Sequence, residues 1–392
     1  MPDIGTKSVA FPRFRGFLIG GFLTLFLGAM LGPHLPHAIT ETSDYTEYAS
    51  AARLLRAGEN PYDWAKLLPI QETHGWTEPQ ADMMWNPPWV FPVVLPLAWL
   101  PWEIGQGFWA AGQLVAVIAA CGMTWTLYGG PDRTRGIVLP LTLTFAPMLT
   151  MLRLGQIPGF ILLGLVGFLV AMRANRPGLA GVAAALTAIK PHLLLPFGVL
   201  LLCDSALSPH SRRAVIVGAG VLLLATAFPM FWNPDVWQQW RTAIDAPSDD
   251  LHHAPSAWVL PTIGYQLRVA VNGELWIQFL PSVIGTVGLV AYWWQRRRAW
   301  NWERELPIVT LISVLTTGYG AMGFDQVVLL LPVVSAAVVI ANHGSERLRM
   351  WSLMAYLLVN GAAISLLLPV LWWAPAVAVG YFVIVLGGTT RP

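Results

Sequence analysis

Charged residues are scarce in this sequence: they make up only 11% of its 392 residues, less than half the share usual in soluble domains. Cysteine is scarcer still, since only Cys121 and Cys203 occur, both inside apolar segments. Two such residues exclude a disulfide framework and a cysteine metal site, and they are interpreted as packing residues. The formal net charge of +2 is carried by scattered basic residues, so no nucleic-acid partner is expected.

Apolar residues are abundant instead, at 55% of the chain, and apolar runs of membrane-spanning length recur from residue 16 to the C-terminus. We therefore predict an all-α polytopic membrane protein in which residues 1–392 form a single transmembrane domain. Some of the predicted spans are shorter than the roughly 20 residues of a straight span, so they must be kinked, half-embedded or longer than the ranges given below. The twelve candidate spans are 16–33, 106–128, 137–152, 158–172, 178–190, 192–206, 214–231, 276–295, 307–322, 325–342, 350–368 and 372–388.

The distribution of basic residues predicts the orientation, because loops rich in Lys and Arg remain in the cytoplasm. With both termini cytoplasmic, 16 of the 23 basic residues fall in inside loops, and 15 of the 21 acidic residues fall outside. Two large external loops result, at about 34–105 and about 232–275. The inside basic residues are Lys7, Arg13, Arg15, Arg133, Arg135, Arg173, Arg176, Arg212, Arg213, Arg296, Arg297, Arg298, Arg304, Arg347, Arg349 and Arg391.

The apolar segment 87–100, PPWVFPVVLPLAWL, is short and contains four prolines. Counting it as a span would invert every later loop and place Arg296, Arg297 and Arg298 outside. We therefore interpret it as a membrane-dipping part of the first external loop. An ordinary short span is the alternative.

The first external loop also contains a helical apolar stripe, which Gly58 and Pro61 terminate. This stripe predicts an interfacial helix on the outer leaflet, whose first turn Ser43 or Asp44 can cap. The stripe consists of Tyr48, Ala51, Ala52, Leu55 and, less regularly, Leu54.

Isolated polar residues lie beside membrane segments, where a charge is costly and usually has a partner or a ligand. The alternative is that each helix end needs a polar terminus, with Lys190 extending to the interface. A site that combines cations with carboxylates and opens to lipid suits a lipid-phosphate ligand, since a carboxylate can also accept a proton from an attacking hydroxyl. The residues predicted to share the external side are Asp44, Arg153, Gln156, Lys190, His192, His252, His253 and Asp325.

Five segments resemble, in the same order, glycosyltransferase family 87 of the C-type glycosyltransferase (GT-C) superfamily. That family includes polyprenol-phosphate-mannose-dependent α-mannosyltransferases. The segments are DYTEYASAARLLRAGENPYD, WNPPWVFPVVLPLAWLP, LGQIPGF, LAGVAAALTAIKPHLLLPFGVLLL and GFDQVVLLLPVV.

The resemblance implies a GT-C-type fold and an inverting enzyme of cell envelope biosynthesis in a bacterial plasma membrane. Such an enzyme transfers a sugar, mannose above all, from a polyprenyl phosphate to a lipid or glycan acceptor on the external face. It implies no cofactor, no sugar nucleotide and no obligatory metal. Asp44 matches the position of the family's proposed general base. Where mycobacterial members carry a histidine pair, this chain has Phe324 and Asp325, which puts the acceptor-side chemistry in doubt.

The residues support the same chemistry independently, because inversion needs a base near the acceptor hydroxyl and stabilisation of the departing phosphate. Asp44 can be the base, and Lys190 and Arg153 can bind the phosphate. Glu47, one turn further along, is the alternative base, in which case Asp44 only caps the helix. The remaining substrate-binding candidates are Tyr62, Gln156, His192, His252, His253 and Asp325.

Two other classes of protein remain open at this point. A multi-pass transporter also has polar groups at membrane depth, but the sequence contains no convincing inverted repeat and its polar loops lie mostly on one face. A noncatalytic lipid-binding protein of envelope assembly would tolerate loss of Asp44. A product assay separates both from a transferase.

Overall fold

The computed structural model describes residues 44–245, 262–366 and 373–388, and its regular structure within these ranges is helical throughout. The predicted all-α class is therefore confirmed. The predicted span 16–33 lies outside the described residues.

The N-terminal helices are α1 (Tyr45–Arg56), α2 (Trp64–Glu72), α3 (Phe91–Val94), α4 (Trp102–Leu127), α5 (Val138–Leu143), α6 (Ala146–Leu154), α7 (Pro158–Arg173) and α8 (Pro177–Leu186). The others are α9 (Leu195–Ser205), α10 (Pro209–Ala227), α11 (Val236–Asp245), α12 (Ile263–Ala270), α13 (Leu280–Arg296), α14 (Trp302–Thr316), α15 (Leu330–His343), α16 (Glu346–Leu366) and α17 (Trp373–Gly388).

Four helical stretches of the described residues are long and apolar enough to cross a membrane. They become five if Asp132–Leu143 and Ala146–Leu154, which meet at a bend of 52°, are counted as one span. Each predicted span within the described ranges overlaps a helix, but several of these helices are short, so the predicted count of twelve is not confirmed. The four stretches are Trp102–Leu127, Pro209–Phe231, Leu275–Ala299 and Asp325–His343.

Helix α1 is buried on nearly all sides. The predicted apolar stripe is present, with Tyr48 and Leu55 fully buried, but the polar residues Glu47 and Ser50 are buried as well. The prediction of an interfacial helix is therefore wrong. A later part of the loop covers the polar side, where Gln71 Nε2 donates a hydrogen bond of 3.0 Å to Ser50 Oγ.

The start of α1 also differs from the prediction. Asp44 occupies the N-cap position, but its side chain does not cap the helix. Its backbone N–H instead donates to the carbonyl of Leu154, at 2.7 Å, so the beginning of α1 is bound to the end of α6. Ser43, the other predicted cap, lies outside the described residues.

The proline-rich segment 87–100 forms a broken helix of three pieces, Pro88–Val90, Phe91–Val94 and Leu95–Trp99. Its prolines lack the backbone donors that a long regular helix needs. Twelve helical residues rise about 18–24 Å, less than the roughly 30 Å of a hydrocarbon core. A straight helix over these twelve residues is thus shorter than the hydrocarbon core, and neither the membrane dip nor the ordinary short span is confirmed.

Helices α7 and α8 form an antiparallel hairpin, and α8 packs closely on α10 through small residues. A Cβ atom added to Gly181 of α8 would overlap the carbonyl oxygen of Ala214 and lie 2.8 Å from the nitrogen of Gly218, both in α10. Close helix approach of this kind is typical of membrane proteins. Gln156 precedes α7 and Lys190 follows α8. Because the hairpin reverses the direction of the chain, the two residues lie at the same end of it.

Candidate functional site

Four polar side chains from distant parts of the chain form a continuous series of contacts near the start of α7. The amide nitrogen of Gln156 donates to the carboxylate of Asp44, and the amide oxygen accepts from Lys190 Nζ at 3.0 Å. Lys190 Nζ also lies 2.7 Å from Asp325 Oδ1. We call Asp44, Gln156, Lys190 and Asp325 the polar cluster. All four were predicted from the sequence as site residues.

The sequence LGQIPG places Gln156 at a sharp turn between two helices. Gly155 ends α6 in the left-handed region, with φ of +66°, where a residue with a Cβ is disfavoured. Its carbonyl accepts a hydrogen bond from Trp109 Nε1 of α4 at 2.6 Å. Pro158 then occupies the first turn of α7, where its missing N–H leaves no bond unmade. Gln156 is thus held at a fixed point between the two helices.

Lys190 follows a single 3₁₀ turn, Thr187–Ile189, that continues α8. The next residue is Pro191, which disfavours helical backbone at Lys190 and ends the helix there. The side-chain amide of Asn86 donates to the last carbonyl of that turn at 3.1 Å and so connects it to the first loop. The Lys190 side chain is 12% exposed, so this cation lies largely inside the protein.

Asp325 begins the 3₁₀ segment Asp325–Leu329 that leads into α15, and its side chain is 1% exposed. One carboxylate oxygen faces Lys190 and the other accepts the backbone N–H of Met322 at 3.2 Å. The preceding turn contains Gly320 at φ +72° and Ala321 at φ +52°. The left-handed conformation is strained for alanine, and the surrounding contacts must maintain it.

The surroundings of Asp44 make its carboxyl a base suited to neutral pH. Burial raises the pKa of Asp44 from 3.8 to about 6, and the hydrogen bond from Gln156 and the charge of Lys190 oppose that rise. The charge of Asp325 adds to it. A general base is most effective when its pKa lies near the operating pH.

Two more carboxyl groups interact with Asp44. Burial, followed by the charges of Asp82 and Asp44, raises the pKa of Glu47 well above its ordinary value. Burial and the charge of Asp44 raise the pKa of Asp82 in the same way. Neither side chain has an ion-pair partner among the described residues. These conditions favour the protonated form of Glu47, which makes it a weaker candidate base than Asp44.

Sequence reasoning did not identify Asp82. The residue lies in the long polar stretch of the first loop, and no periodic or spacing pattern distinguishes it there. Gln71 holds this part of the loop, since it donates to the Asp82 carbonyl at 2.7 Å and accepts from its N–H at 2.8 Å.

His192 adjoins the polar cluster without belonging to its series of contacts, and Tyr62 is connected to it through Asn86. The ring of His192 packs edge-on against Tyr319, with centroids 5.1 Å apart. A Cβ on Gly320 would lie 2.7 Å from His192 Nε2 and 3.5 Å from Asp325 Oδ2, so both side chains adjoin that glycine. The buried hydroxyl of Tyr62 donates to the Asn86 carbonyl at 3.1 Å.

The other predicted site residues are not brought into the cluster. Arg153 is exposed in the last turn of α6 and takes no part in the hydrogen bonds or ion pairs of the cluster. His252 and His253 lie outside the described residues. Within the described ranges, no three His, Cys, Asp or Glu side chains are grouped so that they could hold a metal ion.

Comparison with known proteins identifies a family. A model of glycosyltransferase family 87 matches residues 85–318, which is more than half of the chain. The matched range includes Gln156 and Lys190, but it begins after Asp44 and ends before Asp325. No curated protein and no solved structure matches.

Proposed function

This chain belongs to glycosyltransferase family 87, and we propose that it is an inverting transferase that moves a sugar from a polyprenyl-phosphate donor to a hydroxyl of a lipid or glycan acceptor. Mannose is the first candidate sugar. The observation that carries the proposal is the polar cluster, in which a carboxylate and a lysine share the amide of Gln156. Displacement at an anomeric carbon needs both groups, a base for the acceptor and a cation for the leaving phosphate.

In the proposed step, the acceptor oxygen attacks the anomeric carbon from the side opposite the phosphate. The acceptor proton passes to the carboxylate of Asp44. The bond between the anomeric carbon and the phosphate oxygen breaks, and its electron pair remains on that oxygen. Polyprenyl phosphate leaves as an anion, which Lys190 stabilises, and the anomeric centre is inverted.

Lys190 has the capacity for this contact while it remains in the cluster. An ammonium group has three hydrogens to donate, and two of them are directed to Asp325 and Gln156. The third is proposed to meet a phosphate oxygen of the donor. Lys190 Nζ also lies 4.7 Å from the ring centroid of Phe324, so the face of an aromatic ring stabilises the cation.

The remaining predicted residues are proposed to serve binding. Arg153, exposed at the end of α6, is a second cation for the phosphate. His192 and Tyr62 are proposed to contact the sugar or the acceptor. The polar cluster is proposed to face the external side of a bacterial plasma membrane, which the basic bias of the opposite loops supports. No cofactor or metal enters the proposed step.

The test is a product assay with the full-length chain in lipid nanodiscs. A panel of polyprenyl-phosphate sugars and envelope lipids is supplied with a chelator, and the products are read by mass spectrometry. We expect an acceptor heavier by one sugar residue and an equal amount of free polyprenyl phosphate. With Asp44→Asn the yield of both products should fall by at least about 100-fold. Absence of both products for every donor and acceptor would overturn the proposal.

A further inference from the structure

Gln156 lies between the two groups that the proposed step uses. Its amide nitrogen donates to Asp44, while its amide oxygen accepts from Lys190 at 3.0 Å and from the hydroxyl of Tyr48 at 3.4 Å. The side chain is 5% exposed, so water has little access to the amide. Each polar atom of this side chain therefore has a protein partner.

The partners of Gln156 allow only one orientation of the amide. Lys190 can donate hydrogen bonds but cannot accept them, so the oxygen of the amide must face it. The NH₂ group must then face Asp44. An ionised carboxylate accepts that bond, whereas a proton on the contacted oxygen would meet the amide hydrogen. The contact therefore favours the ionised form of Asp44.

We propose that Gln156 is a positioning residue, whose amide keeps the Asp44 carboxylate ionised and correctly aimed, and whose oxygen ties that carboxylate to the phosphate-binding lysine. As a statement about catalysis, this inference rests on the proposed function. As a statement about the protonation of Asp44, it depends only on the contacts.

The groups around Asp44 act in opposite directions. Burial and the charge of Asp325 favour the protonated form, whereas the Gln156 amide and the Lys190 charge favour the ionised form. Loss of the Gln156 amide removes a contact that favours the ionised form of Asp44. It also removes the link between Lys190 and Asp44. The groups that face Asp44 are Glu47 and Tyr48 from α1, Asp82 from the loop after α2, Gln156 from the turn before α7, Lys190 from the turn after α8 and Asp325 from the segment before α15.

Gln156→Leu tests the proposal, and Gln113→Leu is its matched control. Leucine has a similar bulk and no hydrogen-bonding atom. Gln113 lies in α4, is 1% exposed, and its amide has no hydrogen-bond partner among the described residues. Infrared spectroscopy of the carboxyl stretch, recorded against pH in nanodiscs, follows the protonation of Asp44. The band is identified by its absence in Asp44→Asn.

In Gln156→Leu we expect the titration midpoint of Asp44 to rise by at least about one pH unit, a tenfold change in proton affinity. In Gln113→Leu it should stay within about 0.3 units of the wild type. A midpoint in Gln156→Leu that also stays within about 0.3 units would overturn the inference. If Gln156→Leu does not fold, Gln156→Met, with an unbranched chain of the same length, takes its place and is judged by the same shift.

Turnover gives a second reading that separates this inference from the proposed function. Where the wild type transfers sugar, the midpoint of its rate against pH should rise with the infrared midpoint in Gln156→Leu, while donor affinity changes less than about threefold. A rate that falls equally at every pH would show a merely structural role. If no sugar is transferred but the infrared midpoint rises, the proposed function fails and the assignment of Gln156 stands.

Discussion

The ammonium of Lys190 lies 2.7 Å from the carboxylate of Asp325, 135 residues further along the chain, and the carboxylate is 1% exposed. Burying two ions is unfavourable, and their attraction offsets that cost only while both are present. Asp325 therefore fixes the position of Lys190. The pair has a structural role that can be separated from the proposed contact of Lys190 with phosphate.

Lys190→Met should lower the stability of the protein by about 3–5 kcal/mol, because it leaves Asp325 buried without a counter-ion. Adding Asp325→Asn should restore most of that loss, since the unpaired charge is removed. Thermal unfolding in detergent measures both effects. Donor affinity should remain about 10- to 150-fold weaker in the stable double variant, which lacks the charge-assisted contact. Wild-type donor affinity in that variant would show that Lys190 serves the structure alone.

Asp44→Asn should lower turnover by at least about 100-fold, the usual scale for loss of a positioned base. The fold should persist, because the asparagine oxygen can still accept the bond from Gln156. Asp44→Glu should also be poor, since it moves the carboxylate by a methylene group. Transfer rates at saturating donor give the comparison.

Glu47→Gln is the matched control for the base and should retain most of the activity. Burial raises the pKa of Glu47, so the wild-type residue already resembles the uncharged glutamine. Normal turnover in Asp44→Asn with collapse in Glu47→Gln would transfer the role to Glu47. Normal turnover in both would remove these two carboxyl groups from the mechanism.

The rate of transfer should rise with pH and level off above about pH 6, because burial raises the pKa of Asp44 to about 6 and the base is the ionised form. Below that value the rate should fall about tenfold per pH unit. Stability should move in the opposite direction. The folded protein binds this proton more tightly than the unfolded chain, so the contribution of Asp44 to stability declines as pH rises from 3.8 to about 6. A rate that is constant from about pH 5 to 8 would contradict the assignment.

Gly181→Ala should destabilise the protein by about 1–3 kcal/mol, since its methyl group would overlap the backbone of α10. Gly178→Ala, in the same helix, is the control, because the nearest atom to its added Cβ is 4.0 Å away. That control should be neutral or stabilise by up to about 1 kcal/mol. Equal unfolding temperatures for the two variants would mean that α8 and α10 are not in close contact.

Cysteine labelling should place the polar cluster outside the cell. Glu78 is exposed in the loop between α2 and Asp82, and Arg133 is exposed beyond the opposite end of α4, a helix about 39 Å long. In a chain without Cys121 and Cys203, an impermeant thiol reagent should label Glu78→Cys in intact cells. It should label Arg133→Cys only after the membrane is permeabilised. The reverse pattern would place the cluster in the cytoplasm.

The sequence was sufficient for the apolar helices and for the members of the polar cluster, but it did not predict the helices α2, α11 and α12 of the polar loops. Apolar runs located these helices, and the isolated polar residues in the short breaks between them identified Gln156 and Lys190 as site candidates. The distribution of basic residues assigned Asp44 and Asp325 to the same side of the membrane as Gln156 and Lys190. In the structure these four residues form one series of contacts.

The distribution of basic residues predicts on which side of the membrane a residue lies, but not which residues it contacts. It therefore could not predict that Asp325 pairs with Lys190, or that Asp44 binds Gln156 rather than capping α1. Periodicity has a similar limit, because it reports the apolar face of α1 and not what covers the polar face. That cover comes from Gln71, which is 21 residues beyond the Ser50 hydroxyl that it contacts.

The spacing of the polar cluster along the chain has a consequence for biosynthesis. Gln156 follows its partner Asp44 by 112 residues, and Asp325 follows its partner Lys190 by 135 residues. The ribosome has therefore made most of the helices before the last member of the cluster emerges. Until then Lys190 must enter the bilayer or its surface without its counter-ion. The nascent chain thus passes through a stage in which this cation lacks its counter-ion.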